Sequence, residues 1–81
     1  MKGKVYNRFK VLLSGKETRE GRSIHYQEIQ KITNMATSTI SAWSTNSIKR
    51  YDADTIASLC EYFGCSVGDL IVFESSNSRS N

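Results

Sequence analysis

Proline is missing from the 81 residues, histidine occurs once and cysteine twice. Each shortage excludes something. Without proline, no loop is held rigid by a ring-locked φ. His25 is the sole imidazole, so a Ser-His-Asp arrangement has to use it, and its neighbours supply no supporting context. Cys60 and Cys65 have four residues between them and one distant histidine, too few ligands for structural zinc. They read as plain thiols, one on a helix and one at the turn that ends it. No carboxylate pair is flanked by a base or nucleophile, and no Gly-rich phosphate loop occurs. Catalysis, a cofactor and a metal are therefore not expected. No apolar run reaches signal-peptide or membrane-spanning length. The expectation is a cytoplasmic chain with reduced thiols and no membrane partner.

Acidic residues are scarce in the first part of the chain. Residues 1–50 hold ten Lys and Arg against Glu17, Glu20 and Glu28, a balance of +7. Residues 51–81 hold Arg79 against Asp52, Asp54, Glu61, Asp69 and Glu74, a balance of −4, so the two parts account for the net +3. A chain divided this way has a basic side fit for phosphates and an acidic side.

The length suits one domain, expected over residues 1–74, with a Ser/Asn-rich disordered tail at 75–81. Helical spacing dominates. Val5, Phe9, Leu12 and Leu13 predict a first helix, closed by Ser14-Gly15. Lys16 to Ser23 reads as a charged connector with a turn at Gly21-Arg22-Ser23, its cations either reaching phosphates or solvated. A second helix starts near His25, with Glu28 placed for a capping box. Ile29 and Ile32 are expected to share a face, and Ile40 and Trp43 repeat the spacing in a third helix. Between them Asn34 tolerates the left-handed backbone of a sharp turn, and Met35 plugs the angle. Asp52 is a good N-cap for a fourth helix carrying the stripe Ile56, Leu59, Cys60 and Phe63, stopped by Gly64. Ser66 and Asp69 suggest a fifth N-cap before Val67, Leu70 and Ile71. Leu70-Ile71-Val72-Phe73 is the one run that also suits an extended backbone, and periodicity does not decide it.

The stretch Tyr26 to Trp43 resembles the helix-turn-helix of the lambda-repressor, Cro and XRE family. The matching letters are Gln27-Glu28-Ile29, Asn34-Met35, Thr39-Ile40-Ser41 and Trp43. The likeness continues through Asp54 to Cys60 and Phe63 to Leu70, so it covers about Val5 to Phe73. Four places depart from the pattern. Asn34 replaces the usual Gly, Gln30 a small Ala, and Ala36 a capping Ser or Thr, the last a loss of roughly 1 kcal/mol. Ser44-Thr45-Asn46-Ser47 replaces Glu-Asn-Gly.

The resemblance implies an all-α, compact five-helix lambda-repressor-like domain. It implies a DNA-binding transcriptional regulator of Cro or repressor type, a homodimer on a pseudo-palindromic operator in double-stranded DNA. Its reading positions, carried onto this chain, are Thr37, Ser38, Ser41 and Ala42. Phosphate contacts are expected from Tyr26, Gln27, Thr39, Asn46, Lys49 and Arg50. The outward positions of the third helix are small and uncharged, where an ordinary surface helix carries Lys and Glu. The alternative is the same fold used as a protein-interaction module, an antitoxin or an adaptor. The basic first part favours DNA.

Overall fold

Two five-residue strands from opposite ends of the chain pair with each other: β1 (Gly3–Asn7) and β2 (Ile71–Ser75) form an antiparallel ribbon in the register Val5 to Phe73. Between them the chain runs through α1 (Phe9–Glu20), α2 (Tyr26–Thr33), α3 (Thr37–Ser44), α4 (Ala53–Phe63) and the single turn α5 (Val67–Leu70). The computed structural model describes residues 3–75. Among the described residues, the all-α expectation is thus corrected to five helices plus a two-stranded sheet. The ambiguous run after Leu70 is extended because Val5 and Tyr6 lie opposite Phe73 and Val72, supplying strand partners. Ser75, expected to open the tail, ends β2 opposite Gly3, and residues 76–81 lie outside the described residues.

The same pairing removes Val5 from α1, which begins at Phe9. Nor does α1 stop at Ser14-Gly15. A glycine inside a helix costs about 1 kcal/mol relative to alanine, and local contacts across the next turn offset it. Lys16 pairs with Glu20 at 3.0 Å and stands 4.9 Å over the Tyr62 ring. Glu17 accepts the Ile24 N–H at 2.7 Å, fastening the helix end to the following segment. The helix ends at Gly21, whose φ of 67° is left-handed, a conformation open to glycine at no steric cost.

The core is built from Phe9, Leu13, Ile24, Ile29, Met35, Ile40, Trp43, Leu59, Phe63 and Leu70. Phe9 meets Phe63 edge-on at 5.6 Å, which locks α1 to α4. Trp43 meets Tyr51 edge-on at 5.1 Å, drawing the loop after α3 inward. Ile32 does not share the burial of Ile29: it is 62% exposed, and Thr33, one position on, turns inward instead. Three residues advance a helix by less than a full turn, so the two isoleucines straddle the edge of the apolar stripe. Cys60 and Cys65 are free, half-buried thiols, and burial pushes the Cys65 thiol upward from its ordinary value.

The end caps follow their sequence signals. Asp52 accepts the Thr55 N–H at 3.0 Å, which holds its carboxyl below the usual range. Ser66 and Asp69 form a capping box at α5. Gly64 closes α4 with a φ of 66°.

Candidate nucleic-acid interface

The turn between α2 and α3 is set by short-range chemistry. Asn34 takes a left-handed φ of 64° and its N–H donates to the Gln30 carbonyl at 2.7 Å. The Thr33 hydroxyl donates to the Ile29 carbonyl at 2.7 Å and accepts the Met35 N–H at 3.3 Å, closing α2 with its own side chain. Met35 is buried in the angle between the helices. Ala36 occupies the N-cap of α3, where a methyl group supplies no acceptor, so the start of that helix has no side-chain cap. Thr37 is the first residue inside the helix and does not replace the missing cap.

Ile40 and Trp43 face the core and are 0% and 1% exposed. This rotation turns Thr37, Ser38 and Ser41 outward, with Thr39 and Ala42 half-buried at the edges. The outward face therefore carries hydroxyls and no charge. Ile24, His25, Tyr26, Gln27 and Thr37 line an open hollow where the starts of α2 and α3 approach each other. Helix starts point unsatisfied N–H groups outward and favour anions.

The expected phosphate residues fall into three situations. Lys49 and Arg50 are exposed on the loop after α3, and among the described residues neither forms an ion pair. Gln27 is exposed beside the hollow. Tyr26 is half-buried, and its hydroxyl donates to the Ser44 Oγ at 2.6 Å, joining the start of α2 to the end of α3. Asn46 has its carboxamide engaged by the Asn7 main chain, accepting from N–H at 2.7 Å and donating to C=O at 3.1 Å. The Asn7–Asn46 and Tyr26–Ser44 links are invisible in the sequence, because each joins polar residues far apart in the chain with no periodic signal.

The connector cation Arg22 is not free. Glu28 and Glu20 both hold it, and these partners raise its pKa further above an already high value. Glu28 accordingly turns to Arg22, not back to the N-cap of α2, where His25 makes no side-chain cap bond. Among the described residues no cluster of three or more His, Cys, Asp or Glu is placed to hold a metal, and no helix is long and apolar enough to cross a membrane.

Two short helices joined by a tight left-handed turn, the second with a small-residue outward face, define a helix-turn-helix protein. The Cro/C1-type helix-turn-helix DNA-binding domain model matches residues 16–76, three quarters of the sequence. The chain belongs to that family, and its class is that of DNA-binding regulators. No curated protein and no solved structure matches it significantly.

Proposed function

We propose that this chain is a sequence-specific transcriptional regulator of Cro or repressor type. It reads the major groove of double-stranded DNA with α3, as a homodimer on a pseudo-palindromic operator in the cytoplasm. The observation that carries the reading is the outward face Thr37, Ser38 and Ser41, exposed and uncharged at the start of α3. A helix of this kind fits the groove, with its first turns at base edges and the preceding helix across the backbone. Hydroxyls donate or accept, so they separate bases less sharply than Arg or Gln. The Thr37 methyl and Ala42 suit a thymine methyl. Direct readout is accordingly modest, and phosphate contacts and duplex shape carry a larger share. Gln27, Tyr26, Thr39, Lys49 and Arg50 supply the phosphate side.

Selection from a random duplex library tests this. The wild type enriches a motif with two-fold symmetry. Thr37→Ala or Ser41→Ala relaxes a defined base position, by roughly 1–3 kcal/mol per lost contact. Joint replacement of Lys49 and Arg50 by Ala weakens all duplexes alike and flattens the salt slope by about 0.9 per lost phosphate contact. Absence of any enriched motif would remove the reading.

A further inference from the structure

We infer that Asn46 is a positioning residue for the reading helix: it locks the C-terminal end of α3 to the junction of β1 and α1, and does not serve as a phosphate contact. The inference rests on the DNA-reading role proposed for α3.

The eight residues of α3 are held unevenly. Ile40 and Trp43 anchor the inner face along one stripe, and on the side toward α2 the Tyr26 hydroxyl donates to the Ser44 Oγ at 2.6 Å. The start has no side-chain cap. At the other end, the Asn46 N–H donates to the Trp43 carbonyl at 3.2 Å and the Ser47 N–H to the Ala42 carbonyl at 2.9 Å. Asn46 is thus continuous with the helix end, in a left-handed conformation with φ of 58° that asparagine tolerates. From there its carboxamide brackets one residue 39 positions earlier, accepting from the Asn7 N–H at 2.7 Å and donating to the Asn7 carbonyl at 3.1 Å.

Asn7 is a firm anchor. It is 3% exposed, and its Oδ1 accepts the Phe9 N–H at 2.9 Å at the start of α1. The neighbouring Arg8 N–H donates to the Leu70 carbonyl at 2.8 Å, tying the same point to the end of α5. Because the Asn7 peptide groups face Asn46, they face away from β2. Asn7 and Ile71 are then a non-hydrogen-bonded pair of the ladder, and Asn46 stands at the edge of β1 in place of a third strand. The carboxamide gives one of its N–H groups and its oxygen to this peptide edge, which fixes its orientation on β1.

The test compares the wild type, Asn46→Gly and Ser66→Ala. Glycine keeps the positive φ without strain and removes both bonds of the bracket. Ser66→Ala keeps Asn7 and the bracket and removes only the Ser66 hydroxyl from the α5 cap, so it controls for general destabilisation. Amide NMR shifts are recorded on the free proteins. Affinities are measured across a salt series for the duplex selected by the wild type and for poly(dI-dC). For Asn46→Gly the expected result is displaced amide shifts across Thr37–Ser44. Its affinity for the selected duplex falls about tenfold, the size of one misplaced base contact. Its binding to poly(dI-dC) and its salt slope stay at wild-type values, and Ser66→Ala binds the selected duplex like the wild type. A salt slope lower by about 0.9 makes Asn46 a phosphate ligand and overturns the inference. Unmoved α3 shifts, or an equal affinity loss in Ser66→Ala, overturn it as well. A wild type that selects no duplex defeats the DNA reading itself, and with it the role given to Asn46.

Discussion

Arg22 reaches both carboxylate oxygens of Glu28, Nη1 to Oε1 at 2.8 Å and Nη2 to Oε2 at 2.6 Å, while its Nε donates to Glu20 at 3.0 Å. The connector between α1 and α2 is therefore electrically closed at this cation, although it lies in the basic part of the chain. Arg22→Ala is expected to leave the salt slope of DNA binding unchanged, in contrast to Lys49 and Arg50. Its thermal stability falls slightly, and the difference from wild type shrinks in high salt, as for other exposed pairs. A salt slope reduced as far as in the Lys49 and Arg50 variant would place Arg22 on a phosphate.

Acid should weaken the fold through four carboxylates. Asp52 is held below its ordinary range first by the Thr55 N–H, Asp69 by the Ser66 N–H, Glu28 by Arg22 and Glu20 by Lys16. The folded pKa is depressed in each case, so the contribution is complete above the unfolded carboxylate range, near about 4. It is lost as pH falls through the folded values, because the unfolded chain takes up protons first. Melting temperature is expected to be level above about pH 5 and to decline below about pH 4. Asp52→Asn with Asp69→Asn retains capping oxygens that do not titrate, and should shallow that decline. An identical acid profile in the double variant would exclude these caps as the cause.

Ala36 stands at an N-cap with the extended backbone, φ −65° and ψ 145°, that a capping side chain requires. Ala36→Ser should add an acceptor for the first turn of α3 and stabilise the protein by about 1 kcal/mol. Urea unfolding followed by the fluorescence of Trp43, the single tryptophan, measures this directly. A midpoint at or below wild type would mean that the exposed N–H groups there are already satisfied.

Phe73 is 66% exposed and lies directly across the ribbon from Val5, itself 50% exposed. Paired apolar side chains left in water mark a contact surface, and a second copy is the occupant that the proposed homodimer calls for. Sedimentation over micromolar concentrations should show self-association of the wild type and its loss in Phe73→Asp. Because the Phe73 ring also covers Gly3, Val5→Lys provides a second variant that spares that packing. A wild type that stays monomeric throughout would rule out this face as a stable interface for the free protein.

How far the sequence carried the structure depended on the range of each cause. Asn34, Gly64, Asp52 and the Ser66–Asp69 box act within one turn, and their residues announced the turn or cap they make. The family resemblance located α2 and α3 as well. Features that depend on distant partners were not legible. Val5 has helical spacing to Phe9, yet it is a strand residue because Phe73 lies opposite it. Gly15 reads as a stop, yet the helix continues where Lys16 finds Glu20 and the Tyr62 ring. Arg22 reads as a free cation until Glu28 is seen to hold it. The resemblance makes Asn46 an expected phosphate contact, and nothing in the sequence announces its bonds to Asn7.

The β1–β2 ribbon also dictates an order of events. Val5 meets Phe73 across 68 intervening steps of the chain, the difference of their numbers, whereas the contacts of α2 with α3 close within a few residues. Closing a long loop before any contact offsets its entropy is slow, so the helical middle should consolidate first and the ribbon last. Mutations at Ile40 should then slow folding, while mutations at Val5 should mainly speed unfolding. In this picture α2 and α3 form before the strands, and Asn46 finds Asn7 only when β1 is in place, so opening of the ribbon loosens the end of α3.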